Sequence, residues 1–143
     1  DMRTLMRLVV MAGTGKSAEA PGYAVGGKTG TAEKTVNGAY KQDAKLASFV
    51  GVFPIREPKY AILVMVDEPK GTAETHGYAT GGWVSAPVVG RVVQRMAPLL
   101  GMRPDFNQGD AAVEALWAGI EARQKSRIAP VKSQQGAVHA ASF

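Results

Sequence analysis

The residues with the most chemical capacity sit together at Lys28, Thr29, Gly30 and Thr31, inside the run Gly26-Gly-Lys-Thr-Gly-Thr-Ala-Glu-Lys34. A lysine beside a cleft supplies a fixed positive charge, which orients a carboxylate and favours the anionic state of neighbouring groups. Two threonines two residues apart share one face of an extended strand, and their hydroxyls can donate to a carboxylate or carbonyl. Gly30 has no side chain, so a substrate backbone can approach closely. A backbone N–H on such a strand can form half of an oxyanion hole. The same lysine fits a second pattern. Counted back to Gly22, the run satisfies G-x-x-x-x-G-K-[ST], a phosphate-binding loop.

Local sequence separates the two readings. A phosphate loop needs a buried strand before it and a long helix after it, because the helix N-terminus and nested N–H groups hold the phosphates. Residues 16–21 are too polar for that strand. Gly30 would fall in the first helical turn, Thr31, Thr35 and Val36 are poor helix formers, and Asn37-Gly38 stops any helix within about two turns. A second near-match, Val10 to Ser17, has valine where the first glycine must stand. The run Ile62 to Asp67 ends in an acid, as a magnesium-holding strand would, but reads more simply as a core strand. The lysine motif is therefore expected on a strand. A nucleotide hydrolase is kept as the alternative that thermal stabilisation by nucleotide and magnesium would reveal.

The surrounding elements follow from periodicity. Met2, Leu5, Met6, Leu8, Val9 and Ala12 have helix spacing, with Arg3 and Arg7 off the apolar face, and Gly13-Thr14-Gly15 ends that helix. Residues 23–36 read as a strand, Asn37-Gly38 as a hairpin turn, and residues 45–53 and 59–66 as two more strands. The apolar run Tyr60 to Val66 predicts burial on both faces. The short link from Pro54 to Pro58 favours antiparallel neighbours. A polar loop spans 68–82. Ser85 is a candidate N-cap, Pro87 fits a first turn, and Val88, Val89, Val92, Val93, Met96 and Leu99 continue a helix that Pro98 should kink or end. Helix, three strands, helix gives an α/β chain of the α+β type: an antiparallel sheet flanked by helices. Two segments are expected, 1–105 and an extension over 106–143. The extension should hold one short helix, with Asp110 as cap and Val113, Leu116, Trp117 and Ile120 on one face, then a mobile tail over 124–143.

The chain has 143 residues, 45% hydrophobic, enough for one core. Seventeen Lys plus Arg against 12 Asp plus Glu give +5, but the basic residues are scattered, so no nucleic-acid partner is expected. No apolar run reaches the roughly 18 residues of a membrane span. Cysteine is absent, which excludes disulfides and thiolate metal sites. His76 and His139 stand apart in polar sequence, and neither a metal nor a cofactor is expected.

Longer stretches carry a resemblance. Gly13-Thr-Gly-Lys16, then Pro21 through Lys34, then Phe49-Val-Gly-Val-Phe-Pro54, Tyr60 to Pro69, and Gly81-Gly-Trp-Val-Ser-Ala-Pro87 occur here in that order. Together they resemble the region around the Lys-Thr-Gly motif of class B penicillin-binding proteins, the division-specific peptidoglycan D,D-transpeptidases, over about residues 1–105. The resemblance implies the penicillin-binding protein and serine β-lactamase-like fold, in part. It implies serine acyl transfer: a Ser-x-x-Lys serine attacks the penultimate D-Ala carbonyl of a stem peptide, D-Ala leaves, and a neighbouring amine deacylates the enzyme. Lys28 would assist proton transfer and bind the substrate carboxylate. Thr29 and Thr31 would contact that carboxylate or that of a β-lactam, Gly30 would admit the ligand backbone, and the Thr31 N–H would join the oxyanion hole. Relatives carry an aromatic pair just before the Gly-Gly; here Ala79 and Thr80 stand there, and Tyr78 one step away becomes the candidate contact. Trp83 is expected in the core.

The departure is as informative. The serines at 17, 48, 85, 126 and 133 have no lysine three residues on, and Ser-x-Asn is absent. Both motifs are expected upstream of Asp1, so the chain alone should be inactive and its first partner is the upstream half of its own domain. Further partners implied are peptidoglycan stem peptides, β-lactams as covalent inhibitors of the complete domain, and division-machinery proteins. The implied location is the periplasmic side of the inner membrane, with an N-terminal anchor outside this chain. A non-catalytic sensor or scaffold of the same fold is the alternative.

Overall fold

In a computed structural model, residues 1–36, 39–106 and 110–128 are described. The expected Asn37-Gly38 turn, His139 and the tail from 129 lie outside them. Helix α1 spans Met2–Met11, with the Asp1 carboxylate accepting from the Arg3 N–H at 2.9 Å as an N-cap. A 3-10 turn covers Lys16–Ala18. Strands β1 (Gly26–Val36), β2 (Ala39–Phe53) and β3 (Tyr60–Asp67) follow, then α2 (Gly81–Val84), α3 (Ala86–Leu99) and α4 (Ala111–Ile128). Residues 23–25, read as the start of the first strand, are instead a buried approach to it.

The three strands form one antiparallel sheet in the order β1-β2-β3. Register places Lys28 opposite Val50, Thr29 opposite Phe49, Gly30 opposite Ser48 and Thr31 opposite Ala47. Directly opposed residues share a face. One face therefore carries Thr29, Phe49, Phe53, Ile62 and Val64, and α3 packs against it through Val89 and Val93. Phe49 and Phe53 are fully buried there, each stabilising the fold by roughly 1.5–3 kcal/mol. The other face carries Lys28, Ser48, Val50, Leu63 and Met65.

Strand β3 departs from expectation. Its burial alternates, and Leu63 and Met65 are each 59% exposed. Only the α3-facing side is covered, because among the described residues β3 is an edge strand with helices packed on one face. Ser85 also takes a different role. Its hydroxyl makes no cap; buried, it donates to the Ala47 carbonyl at 3.1 Å and ties the start of α3 to β2. Pro98 is the next-to-last residue of α3, and the helix ends one residue later.

Arg7 departs as well. It is buried, with Nη1 and Nη2 on the Glu19 carboxylate at 2.6 and 3.0 Å and Nη1 on the Val25 carbonyl at 2.8 Å. This bracket fixes α1 to the segment entering β1. Helix α4 lies on α1, with Val113 buried and Leu8, Met11, Ala12 and Trp117 around it. The helix runs through residues 124–128, the first part of the stretch expected to be mobile.

Candidate active site

The strand β1 is built from small and β-branched residues, which suits an extended edge that a ligand can approach. Thr29 and Thr31 point to one side, as the two-residue period requires. There they line a hollow of about 320 Å³ with Thr14, Thr80, Gly81, Gly82 and Trp83. That size is at the lower end of the range for small-molecule sites.

Two glycines let α2 close the hollow. A Cβ on Gly81 would overlap the Ser48 carbonyl oxygen and stand 2.7 Å from that of Gly30. A Cβ on Gly82 would overlap the Thr14 carbonyl oxygen. The chain thus passes against both strand backbones at a distance that only glycine permits. At this approach the Gly81 N–H donates to Thr31 Oγ1 at 3.3 Å. Thr29 Oγ1 and Thr14 Oγ1 are 3.0 Å apart, with either able to donate.

Lys28 and Gly30 face the opposite side of the sheet. The Lys28 ammonium is exposed and donates to the Thr29 carbonyl at 2.6 Å. A Cβ on Gly30 would meet Ser48 Oγ at 2.5 Å. The four motif residues therefore straddle an edge strand, two on each face. Tyr78, 55% exposed, stacks on Trp83 with ring centroids 5.6 Å apart and planes at 12°. His76 meets the same indole edge-on at 5.5 Å. Trp83 is 40% exposed and lines the hollow, in contrast to the expected core position, because Gly81 and Gly82 bring the start of α2 down onto β1 and leave the indole at the rim.

Further along, Lys34 Nζ meets Asp67 at 2.9 and 3.1 Å and Glu68 at 3.0 Å. The hydrogen bonds that Lys34 donates to Asp67, and next the one to Glu68, raise the Lys34 pKa from its ordinary value. This cluster ties β1 to the end of β3, beyond the register shift between Glu33 and Lys34. Among the described residues, no group of His, Asp and Glu is arranged to hold a metal ion, and no helix is long and apolar enough to cross a membrane.

Thr14 and Thr80 had no signal in the sequence. A threonine in a glycine-rich turn reads as a turn residue, and only the chain fold carries Thr14 to β1.

Comparison with known proteins identifies the family. Residues 1–94 match the family described as the penicillin binding protein transpeptidase domain. Over 112 residues the chain is 44% identical to a protein of Caulobacter vibrioides described as probable peptidoglycan D,D-transpeptidase FtsI, covering 72% of this chain and 19% of that protein. It is 42% identical over 108 residues to stage V sporulation protein D of Bacillus subtilis, covering 76% of this chain and 16% of that protein. Among solved structures, penicillin binding protein 3 of Mycobacterium tuberculosis, complexed with ampicillin, aligns with a TM-score of 0.65 at 27% identity, covering 78% of this chain and 26% of that one. The chain belongs to the penicillin-binding protein transpeptidase domain family. It spans less than a fifth of the length of these curated relatives, 19% and 16%.

Proposed function

We propose that this chain forms the Lys-Thr-Gly wall of a D,D-transpeptidase site that cross-links peptidoglycan stem peptides by serine acyl transfer and is acylated by β-lactams. The observation that carries the reading is the pair Thr29 and Thr31, which line one hollow from an edge strand. That pair suits a carboxylate, which only accepts hydrogen bonds. The M. tuberculosis relative complexed with ampicillin, a β-lactam carboxylate, supports the ligand class.

In this mechanism Thr29 and Thr31 anchor the carboxylate of the stem peptide or antibiotic. The missing side chain of Gly30 leaves its space to Ser48 Oγ on the opposite face, and the Thr31 N–H supplies one oxyanion donor, worth about 3–4 kcal/mol in the transition state. Lys28 contributes positive charge and assists proton transfer to the leaving group. Tyr78 bounds the ligand through its stack on Trp83. The nucleophilic serine and the Ser-x-Asn serine come from the rest of the domain. Stem peptides are outside the cytoplasmic membrane, so the periplasmic side is the proposed location and the septal division machinery the proposed partner.

Labelling with a fluorescent penicillin tests the reading. The isolated chain should form no covalent adduct. The complete domain should form one, strongly reduced by Lys28→Ala. An adduct on the isolated chain would place the nucleophile here and overturn the scheme. Labelling of the complete domain that ignores Lys28→Ala would remove Lys28 from the mechanism.

A further inference from the structure

Thr14 lies outside the motif, in the turn between α1 and the 3-10 turn, yet it is held at the site from two sides. Its hydroxyl is 3.0 Å from that of Thr29, and its carbonyl faces the position where Gly82 has no Cβ. It lines the same hollow as Thr29 and Thr31.

The direction of the hydroxyl protons matters. A threonine hydroxyl has one proton to give and lone pairs to accept with. Thr31 Oγ1 already accepts from the Gly81 N–H at 3.3 Å, which leaves its proton for a ligand. Among the described residues, no main-chain N–H donates to Thr29 Oγ1 in this way; the group beside its oxygen is Thr14. Between these two hydroxyls either can donate to the other. A carboxylate accepts a hydrogen bond from the Thr29 hydroxyl, and Thr14 must then donate to Thr29 Oγ1. The chain Thr14 to Thr29 to carboxylate runs one way and each bond polarises the next.

We propose that Thr14 is a positioning residue that holds the Thr29 hydroxyl as a donor to the ligand carboxylate, the role that the Gly81 N–H plays for Thr31. This rests on the reading of Thr29 as a carboxylate contact.

The test is the rate of penicillin acylation of the complete domain as a function of penicillin concentration. Thr14→Val keeps the branched shape and removes the hydroxyl. Its second-order rate should fall roughly tenfold, the size of one hydrogen bond to a charged acceptor. The fall should appear as weaker binding, with the limiting rate at saturation retained. Thr14→Ser should recover to within about threefold, since it restores the same hydrogen bond. A β-lactam esterified at the carboxylate should not distinguish Thr14→Val from the unmodified protein. Thr29→Val should be slow, and adding Thr14→Val to it should cost nothing further, because the two act as one unit. Thr14→Ser no faster than Thr14→Val, or an ester slowed as much as the free acid, would overturn the proposal in favour of packing. Thr14→Val as fast as the unmodified protein beside a slow Thr29→Val would overturn it alone. A fast Thr29→Val would remove the reading beneath it.

Discussion

Gly81→Ala tests how the site is closed. The added methyl would overlap the Ser48 carbonyl oxygen and come within 2.7 Å of the Gly30 carbonyl oxygen. Both atoms belong to main chain paired across β1 and β2, so neither can turn aside as a side chain could. Helix α2 must retreat by roughly an ångström to restore ordinary contact. The Gly81 N–H to Thr31 bond, already 3.3 Å, would then be lost. Overpacking of this kind costs about 1–3 kcal/mol and the hydrogen bond about 1 more, so the total is about 2–4 kcal/mol. In a domain of this family the melting temperature should fall by roughly 5–15 °C. Acylation by penicillin should slow as well, because Thr31 loses the N–H that fixes its hydroxyl. Gly77→Ala is the control: it adds a methyl with nothing within 4 Å, at φ 79°, away from the hollow. It should cost about 1 kcal/mol and leave acylation unchanged. If Gly81→Ala melts and acylates like the unmodified protein, the close approach of α2 to the strand pair is wrong.

Two further perturbations follow. Arg7→Met should lower the midpoint of urea unfolding at constant slope, by the equivalent of about 2–4 kcal/mol: the buried Val25 carbonyl loses its donor, while Glu19, with a side chain 38% exposed, regains water and adds little. Glu19→Gln should cost clearly less; equal losses would mean that the ion pair, and not the bracket on Val25, holds α1. Lys34 has a folded-state pKa above its unfolded one, so its contribution is complete below the ordinary lysine range and fades as pH rises through the raised value. The melting difference between the unmodified protein and Lys34→Met should thus be level near neutrality, vanish in strong alkali and shrink in high salt; a difference that grows with pH would contradict the cluster with Asp67 and Glu68.

Much of the fold was legible because its signals are local. β-Branched residues around Lys28 place the motif on a strand, and that alone removes the phosphate-loop reading. The stripe Val88 to Leu99 gives α3. What escaped depends on distant partners. Arg7 reads as a surface residue on its helix, and nothing in the sequence says that Glu19 and the Val25 carbonyl will surround it. The apolar run of β3 reads as buried on both faces, but Leu63 and Met65 meet no covering element among the described residues. Ser85 has the right type and position for a cap, yet the Ala47 carbonyl takes its proton. The shared hollow of Thr14 and Thr29 exists only after the turn following α1 has folded across β1.

The placement of the motif on an edge strand has a chemical reason. Adjacent residues of a strand point to opposite faces, so Lys28 and Thr29 cannot both serve a ligand lying flat on either face. Both can reach one that lies along the edge. Strand β1 has that free edge in the described sheet, and the Lys28 ammonium already bends to the Thr29 carbonyl at 2.6 Å. An inner strand would have its N–H and C=O groups committed on both sides and could offer no oxyanion donor. The composition agrees. From Lys28 to Thr35 the strand has no large apolar residue, so its open edge does not invite other chains. The same residues that make β1 a weak core strand suit it to the proposed role of a wall, with the threonine hydroxyls on one side, the lysine on the other and an open edge between them.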